Sequence, residues 1–149
     1  MKFYSTNNKS SSVSFREAAM KGLPDDNGLF MPEFIPDCTD LLKGIDTLSI
    51  QDISYFISKK FMNKDFVNSE IEEIIDKAIS FSAPIIRIGD KFILELFHGP
   101  TLAFKDFALQ LLSRIFNFIL ERNNQFLTIV GATSGDTGSA AIDAFKNNK

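Results

Sequence analysis

The stretch Glu95-Leu96-Phe97-His98-Gly99-Pro100-Thr101-Leu102-Ala103-Phe104-Lys105-Asp106-Phe107 carries the reading of the whole chain. An apolar run meets a Gly-Pro break, and a helical pattern begins almost at once with a lysine in or near its first turn. A cation there faces the positive end of the helix dipole, an opposition of a few tenths to about 1 kcal/mol. Beside Leu102, Ala103, Phe104 and Phe107, the amine of Lys105 is a candidate nucleophile toward a carbonyl compound, because Schiff-base chemistry needs a neutral amine. The same residue also reads as a surface lysine on the flank of an amphipathic helix, and the surrounding sequence has to choose between the two.

Downstream, Phe104, Phe107, Ala108, Leu111, Leu112, Ile115, Phe116 and Ile119 recur at i, i+3, i+4, i+7, with Asp106, Gln110, Ser113, Arg114 and Asn117 opposite. Lys105 falls between the faces, roughly 80° from the centre of the apolar stripe by the ~100° step of a helix, so its stem can reach over the helix start. Asp106 reads as an anion favoured by the dipole rather than as a catalyst. Upstream, Ile85 to Ile88 and Lys91 to Leu96 flank Gly89-Asp90, a hairpin signal. The lysine segment is thus a strand, turn, helix unit.

A second such unit follows. Phe126 to Val130 suits a buried parallel strand, and Gly131-Ala132-Thr133-Ser134-Gly135-Asp136-Thr137-Gly138 leads into a helical Ser139 to Phe145. A turn rich in Gly, Ser and Thr at a helix start offers backbone N–H groups and hydroxyls to a carboxylate or phosphate. It lacks the Gly-Lys-Ser/Thr ending of a nucleotide P-loop and the spacing of a dinucleotide fingerprint. An ordinary strand-to-helix turn with good caps explains it equally well. His98, the one histidine, reads more readily as a hydrogen-bonded loop residue than as an acid or base.

Toward the N-terminus, residues 2 to 6 alternate as a short strand and Asn7 to Ser12 form a polar loop. Ser14 and Glu17 make a capping box for a helix from Phe15 to Lys21, closed by Gly22. Leu23 to Gly28 is dense in turn residues, and Met31-Pro32-Glu33-Phe34-Ile35-Pro36 runs extended because of its prolines. Two amphipathic helices follow, over Ser49 to Phe61 and after Ser69, the second with Glu70, Glu72, Glu73 and Lys77 on a solvated face.

The totals bound the class. The 149 residues suffice for one domain and fall short of two full ones, and 44% hydrophobic content with sixteen phenylalanines fits a globular core. A net charge of -3 without a basic run asks for neither nucleic acid nor an anionic membrane. The single Cys38 has no partner for a disulfide or a metal site, the N-terminus has no apolar signal core, and no run reaches membrane-span length. The expected location is cytoplasmic.

Glu95 to Leu112, ELFHGPTLAFKDFALQLL, resembles the cofactor-lysine segment of threonine synthase, a pyridoxal 5'-phosphate enzyme sharing its fold with tryptophan synthase β and cysteine synthase. Tyr4-Ser5-Thr6, Ser14-Phe15-Arg16-Glu17-Ala18 and Gly28-Leu29-Phe30-Met31-Pro32-Glu33 resemble that family's N-terminal signature, and Val130 to Ala141, VGATSGDTGSAA, its substrate-carboxylate loop. The copy departs from the family where Asn7-Asn8 replaces a common Arg-Gly pair, where Asn27 replaces a common glycine, and where Asp136 replaces the asparagine of the related fold.

The resemblance implies an α/β chain of fold type II. Residues 1–82 would be the threonine synthase N-terminal region, and 83–149 the beginning of a pyridoxal-phosphate-binding parallel-sheet domain. It implies that Lys105 holds the cofactor and moves protons, that Asp136 stands near the cofactor ring, and that Ser134, Gly135, Asp136, Thr137, Gly138 and His98 meet the substrate, O-phospho-L-homoserine. The products would be L-threonine and phosphate. The family's phosphate-binding glycine loop and the residue meeting the pyridine nitrogen lie further on than Lys149, so the chain is expected to be a truncated N-terminal piece without turnover of its own and prone to self-association. Another lyase of the same fold, a threonine dehydratase or a cysteine synthase, would not be expected to carry the residue 4 to 33 signature. A non-catalytic interaction module descended from the enzyme would tolerate replacement of Lys105.

Overall fold

The computed structural model describes residues 1–7 and 12–146; Asn8 of the Asn7-Asn8 pair and the final Asn147-Asn148-Lys149 lie outside the described residues. The chain forms two compact units, Met1–Glu73 and Ile74–Lys149.

The first unit is built on a three-stranded antiparallel sheet with β1 (Lys2–Ser5) between β2 (Val13–Ser14) and β3 (Phe30–Pro32), in the register Phe3 to Val13 and Phe3 to Pro32. Pro32, which has no N–H to give a ladder, sits at the end of an edge strand. Helix α1 (Phe15–Lys21) starts at the predicted capping box: Ser14 Oγ accepts the Glu17 amide at 3.1 Å and the Glu17 carboxylate accepts the Ser14 amide at 2.7 Å. These bonds hold the Glu17 carboxyl below its ordinary range, with the Ser14 amide the leading cause. Met1, Phe3 and Ala18 are buried with Val13, Phe15, Phe30 and Phe61 packed around them, and the Phe15 ring stands edge-on to both Phe3 and Phe66.

A polar clasp joins β1 to the turn before β3. Ser5 Oγ donates to Asp26 Oδ1 at 2.5 Å, the same oxygen accepts the Gly28 amide, and Asn7 Nδ2 donates to the Asp26 carbonyl at 2.9 Å. Asn27 takes the left-handed conformation, φ 59, that a glycine would adopt without strain. Asn7 therefore closes this turn with its side chain, and Asn27 with a left-handed backbone whose amide donates to the Pro24 carbonyl at 3.2 Å.

Beyond the short helix α2 (Thr39–Leu42) and a 3-10 turn at Ile45–Thr47, α3 (Ile50–Met62) opens on a second capping box between Ser49 and Asp52. Helix α4 (Asn68–Ala78) begins with Glu70 Oε2 accepting the Val67 amide at 2.9 Å. Glu72, Glu73 and Lys77 are exposed, whereas Ile71, Ile74, Ile75 and Ala78 are fully buried, as their spacing requires.

In the second unit β4 (Ile85–Ile88) and β5 (Lys91–Leu94) pair antiparallel across Gly89-Asp90, with Ile88 opposite Lys91 and Gly89 at φ 62. Helix α5 (Lys105–Asn123) ends in a left-handed Asn124, and α6 (Asp136–Phe145) packs along it through Phe116 and Phe145. Among the described residues no helix is long and apolar enough to cross a membrane.

Three sequence expectations are corrected here. Phe126 to Val130 is not a buried parallel strand: it carries no regular secondary structure, Val130 is 90% exposed, and both sheets among the described residues are antiparallel. A strand needs a neighbour for its N–H and C=O groups, and among the described residues these have none to pair with. Phe126, Leu127 and Ile129 instead border a groove of about 200 Å³ over Phe116, Leu120 and Phe145. Secondly, the polar side of α5 is not its solvated side, since Asp106, Gln110 and Ser113 are buried and Phe104 and Ala108 are exposed. Thirdly, α6 begins at Asp136 rather than Ser139.

Candidate active site

Lys105 is the first residue of α5. The chain reaches it through a compact turn in which the Leu102 amide donates to the Gly99 carbonyl at 3.1 Å and the Asp106 amide to the Ala103 carbonyl at 3.0 Å. Leu102 adopts φ 59, a conformation that costs a non-glycine residue about 1–2 kcal/mol. Strain of this kind survives where the surroundings fix it.

The fixing group is Asp106. Its carboxylate is cut off from solvent, with Oδ2 accepting the Thr101 amide at 2.9 Å and Oδ1 accepting the Thr101 hydroxyl at 2.8 Å. A Cβ on Gly99 would lie 2.6 Å from the Asp106 Cβ and 2.8 Å from its Cγ, so the turn closes only over a glycine. The sequence reading gave Asp106 to the dipole and passed over Thr101. A threonine directly after a Gly-Pro break and five residues before an aspartate was the available signal.

The Lys105 amine lies 4.5 Å from the centre of the Phe104 ring and makes no ion pair among the described residues. It is partly exposed. An amine that is reachable and uncommitted to a carboxylate fits a partner bearing an aldehyde. His98 makes its contacts within its own loop, with Nε2 2.7 Å from Glu95 Oε2 and the ring stacked on Phe97 at 4.7 Å between centroids.

At the second helix start, Thr133 Oγ1 accepts the amides of Gly135 at 3.2 Å and Gly138 at 3.1 Å, so a side chain outside the helix caps it. Gly138 is held close to that hydroxyl, since a Cβ there would stand 2.6 Å from Thr133 Oγ1. Thr133 was not among the residues singled out from sequence; its place two residues before the Gly135 cap was the clue. With Gly135 and Gly138 satisfied, the amides of Asp136 and Thr137 make no hydrogen bond among the described residues and point from the positive end of α6. Ser134, Asp136 and Thr137 are exposed. The donor set suits a carboxylate.

The two starts belong to helices joined by a polar bond. Gln110 Nε2 donates to Asp143 Oδ2 at 2.8 Å, and Lys146 Nζ donates to Asp143 Oδ1 at 2.6 Å. The Lys146 bond is the main cause holding the Asp143 carboxyl below its ordinary range, with Gln110 adding to it. Contacts advance in the same sense along both helices, from Gln110 with Asp143 to Phe116 with Phe145. Lys105 and the Ser134 to Gly138 loop thus lie on the same side of this bond.

The chain is similar to known proteins in sequence and in fold. The family model described as the threonine synthase N terminus matches residues 2–79. The chain is 36% identical to threonine synthase of Pseudomonas aeruginosa, over 96% of its own length and 32% of the relative's. It is 39% identical to threonine synthase of Saccharomyces cerevisiae, over 92% of its length and 31% of that protein's. Among solved structures, pyridoxal-phosphate-bound threonine synthase of Brucella melitensis superposes with a TM-score of 0.93 at 35% identity, covering 100% of this chain and 34% of the other. The Escherichia coli threonine synthase superposes at 0.88, also with 35% identity, covering 99% and 34%. The chain therefore spans about a third of the length of the relatives it matches, corresponding to their N-terminal region.

Proposed function

The chain belongs to the threonine synthase family, and from that premise we propose that it provides the lysine segment and the substrate-carboxylate loop of a pyridoxal-phosphate lyase converting O-phospho-L-homoserine and water to L-threonine and phosphate. The observation that carries the reading is the pairing of α5 and α6: among the described residues, one helix starts with an amine in no ion pair and the other with two amides that have no acceptor. In this proposal residues 1–82 are the N-terminal region and 83–149 the beginning of the cofactor domain. The match over residues 2–79 favours threonine synthase over a dehydratase or cysteine synthase of the same fold.

Each group then has a task. Pyridoxal phosphate, when bound, supplies an electron sink for negative charge developing on the substrate carbons. Lys105 would hold it, and its freed amine would take the proton from the substrate α carbon and return protons along the chain. The Asp136 and Thr137 amides, with the hydroxyls of Ser134 and Thr137, would bind the substrate carboxylate and fix which bond lies in line for cleavage. Asp136 would also approach the cofactor ring. His98, tied to Glu95, would border the substrate from the lysine side. Phosphate departs from the γ carbon and water adds at the β carbon. The location is cytoplasmic in this reading, where Cys38 stays a free thiol.

A polypeptide of these 149 residues is expected to form no threonine by itself, because the strand and loop surfaces beside the site, Ile85 to Leu94 and Phe126 to Val130, are open to solvent, and this chemistry needs a site from which water is excluded. Incubation with pyridoxal phosphate, borohydride reduction and mapping of the modified lysines tests the cofactor role. Selective label on Lys105, lost in Lys105→Ala without moving elsewhere, is the expected result; label scattered over the lysines would overturn it. Threonine release from O-phospho-L-homoserine by the isolated chain would contradict the expected lack of turnover.

A further inference from the structure

Asp106 follows the candidate cofactor lysine directly in sequence, and its carboxylate is nevertheless committed elsewhere. It is fully buried, a placement that is costly for a carboxylate unless its oxygens are hydrogen-bonded. Both oxygens are used, and both by Thr101: the amide at 2.9 Å and the hydroxyl at 2.8 Å. Gly99 closes the third side, where a Cβ would stand 2.8 Å from the Asp106 Cγ. The neighbouring Lys105 amine makes no ion pair among the described residues and rests over the Phe104 ring.

That separation has a chemical use. A lysine held by an adjacent carboxylate keeps its proton and is a poor nucleophile. A carboxylate locked to the turn before the helix cannot serve as that partner, and the lock also fixes where the helix begins and which residue is first. Resting on the cofactor-lysine reading above, we propose that Asp106 is a positioning residue for Lys105, acting through Thr101. The Thr101–Asp106 lock seats the Gly99–Thr101 turn on the first turn of α5, carries Leu102 into its left-handed conformation, and delivers Lys105 at the first helical position with its amine uncommitted.

The test uses the 149-residue chain and four variants. Thr101→Val keeps the amide and nearly the shape but removes the hydroxyl; Thr101→Ser keeps both donors. Asp106→Ala removes the acceptor, and Asp106→Asn keeps an oxygen for the Thr101 amide and a group for the hydroxyl. Two readouts are taken on each, with thermal unfolding as the check that the variant is folded. One is the share of borohydride-trapped pyridoxal phosphate found on Lys105. The other, without cofactor, is the acetylation rate of Lys105 by acetic anhydride relative to the chain's other lysines.

Thr101→Val and Asp106→Ala are expected to lower the Lys105 share of the label about tenfold, the scale of one lost hydrogen bond to a charged group. Both should also shift its relative acetylation rate. Thr101→Ser and Asp106→Asn are expected to stay within about threefold of the parent. A folded Thr101→Val chain that labels and acetylates like the parent overturns the proposal, as does a serine variant that fails to rescue. Should Thr101→Val not fold, the two Asp106 variants decide: equal loss in both means that the charge matters and the positioning does not. Absence of selective label in the parent would count against the cofactor reading alone. The acetylation ratios would then support the positioning role if the valine variant departs and the serine variant does not, and would overturn it otherwise.

Discussion

Gly99 and Asp106 stand closer than any other residue type at position 99 would permit: the aspartate side chain fills the volume that a Cβ would take. The turn ahead of Lys105 is therefore closed around a buried carboxylate, and the helix start is fixed from the outside. Gly99→Ala must move either the carboxylate or the turn. The expected cost is about 1–3 kcal/mol, that of an overpacked site, read as a lower urea midpoint at unchanged slope. Stability equal to the parent would mean that the turn has slack.

Leu102 gives the opposite sign. Its side chain is 74% exposed and its φ is 59, so it contributes strain and little packing. Leu102→Gly is expected to stabilise the chain by about 0.5–1 kcal/mol, the relief of the left-handed conformation less the added freedom of the unfolded chain. Calorimetric melting checks it, and a lower midpoint would show that the conformation is not strained.

The pH dependence follows from five carboxyls. Asp26, held mainly by the Ser5 hydroxyl, Asp37, held mainly by the Thr39 hydroxyl, Asp52, held mainly by the Ser49 hydroxyl, and Asp143, held mainly by Lys146, lie below their ordinary value of 3.8, and Glu17, held mainly by the Ser14 amide, lies below 4.5. In the acid range the unfolded chain takes up protons first, so folded stability is complete above the unfolded values and declines as pH falls through the lowered ones. Urea midpoints should agree between about pH 7 and 5 and drop below about pH 4. A midpoint that rises on acidification would contradict the assignment. In Ser49→Ala that decline should become shallower, and the neutral-pH stability should fall by about 1 kcal/mol.

The Ser14 cap was legible beforehand because Ser14-x-x-Glu17 is a local signal, complete within one turn of chain. So were the Gly89-Asp90 hairpin and the lysine at the start of α5. Phe126 to Val130 was misread because a strand is made by its neighbour, and composition records only the propensity for one. The burial of Gln110 and Ser113 was hidden for a related reason. Periodicity assigns polar side chains to water, whereas Gln110 bonds Asp143 and Ser113 Oγ donates to the Gln110 carbonyl at 2.9 Å. Thr101 and Thr133 escaped notice because each acts on a residue several positions away through a turn that only the folded backbone defines.

The exposed hairpin leads to a prediction about solution behaviour. Strands β4 and β5 are solvent-exposed throughout, with Phe92 at 70% and Ile88 at 60%, and among the described residues each has an unpaired edge. The 149-residue chain is expected to associate with itself as its concentration rises, and Phe92→Lys to weaken that association. Light scattering behind size exclusion measures both. A clean monomer at all concentrations would leave the hairpin without this consequence.

Thr133 engages the amides of Gly135 and Gly138 with a single oxygen and leaves the Asp136 and Thr137 amides between them without an acceptor among the described residues. The Thr133 bonds hold this helix start together from within the chain, and Ser134, Asp136 and Thr137 are exposed. On the reading proposed above, a carboxylate entering there would break no contact within the protein and order no new segment of chain. Its capture would then proceed at the pace of diffusion and dehydration, and the selectivity for one amino acid over another would have to be imposed elsewhere in the enzyme, at the end of the substrate that carries the phosphate.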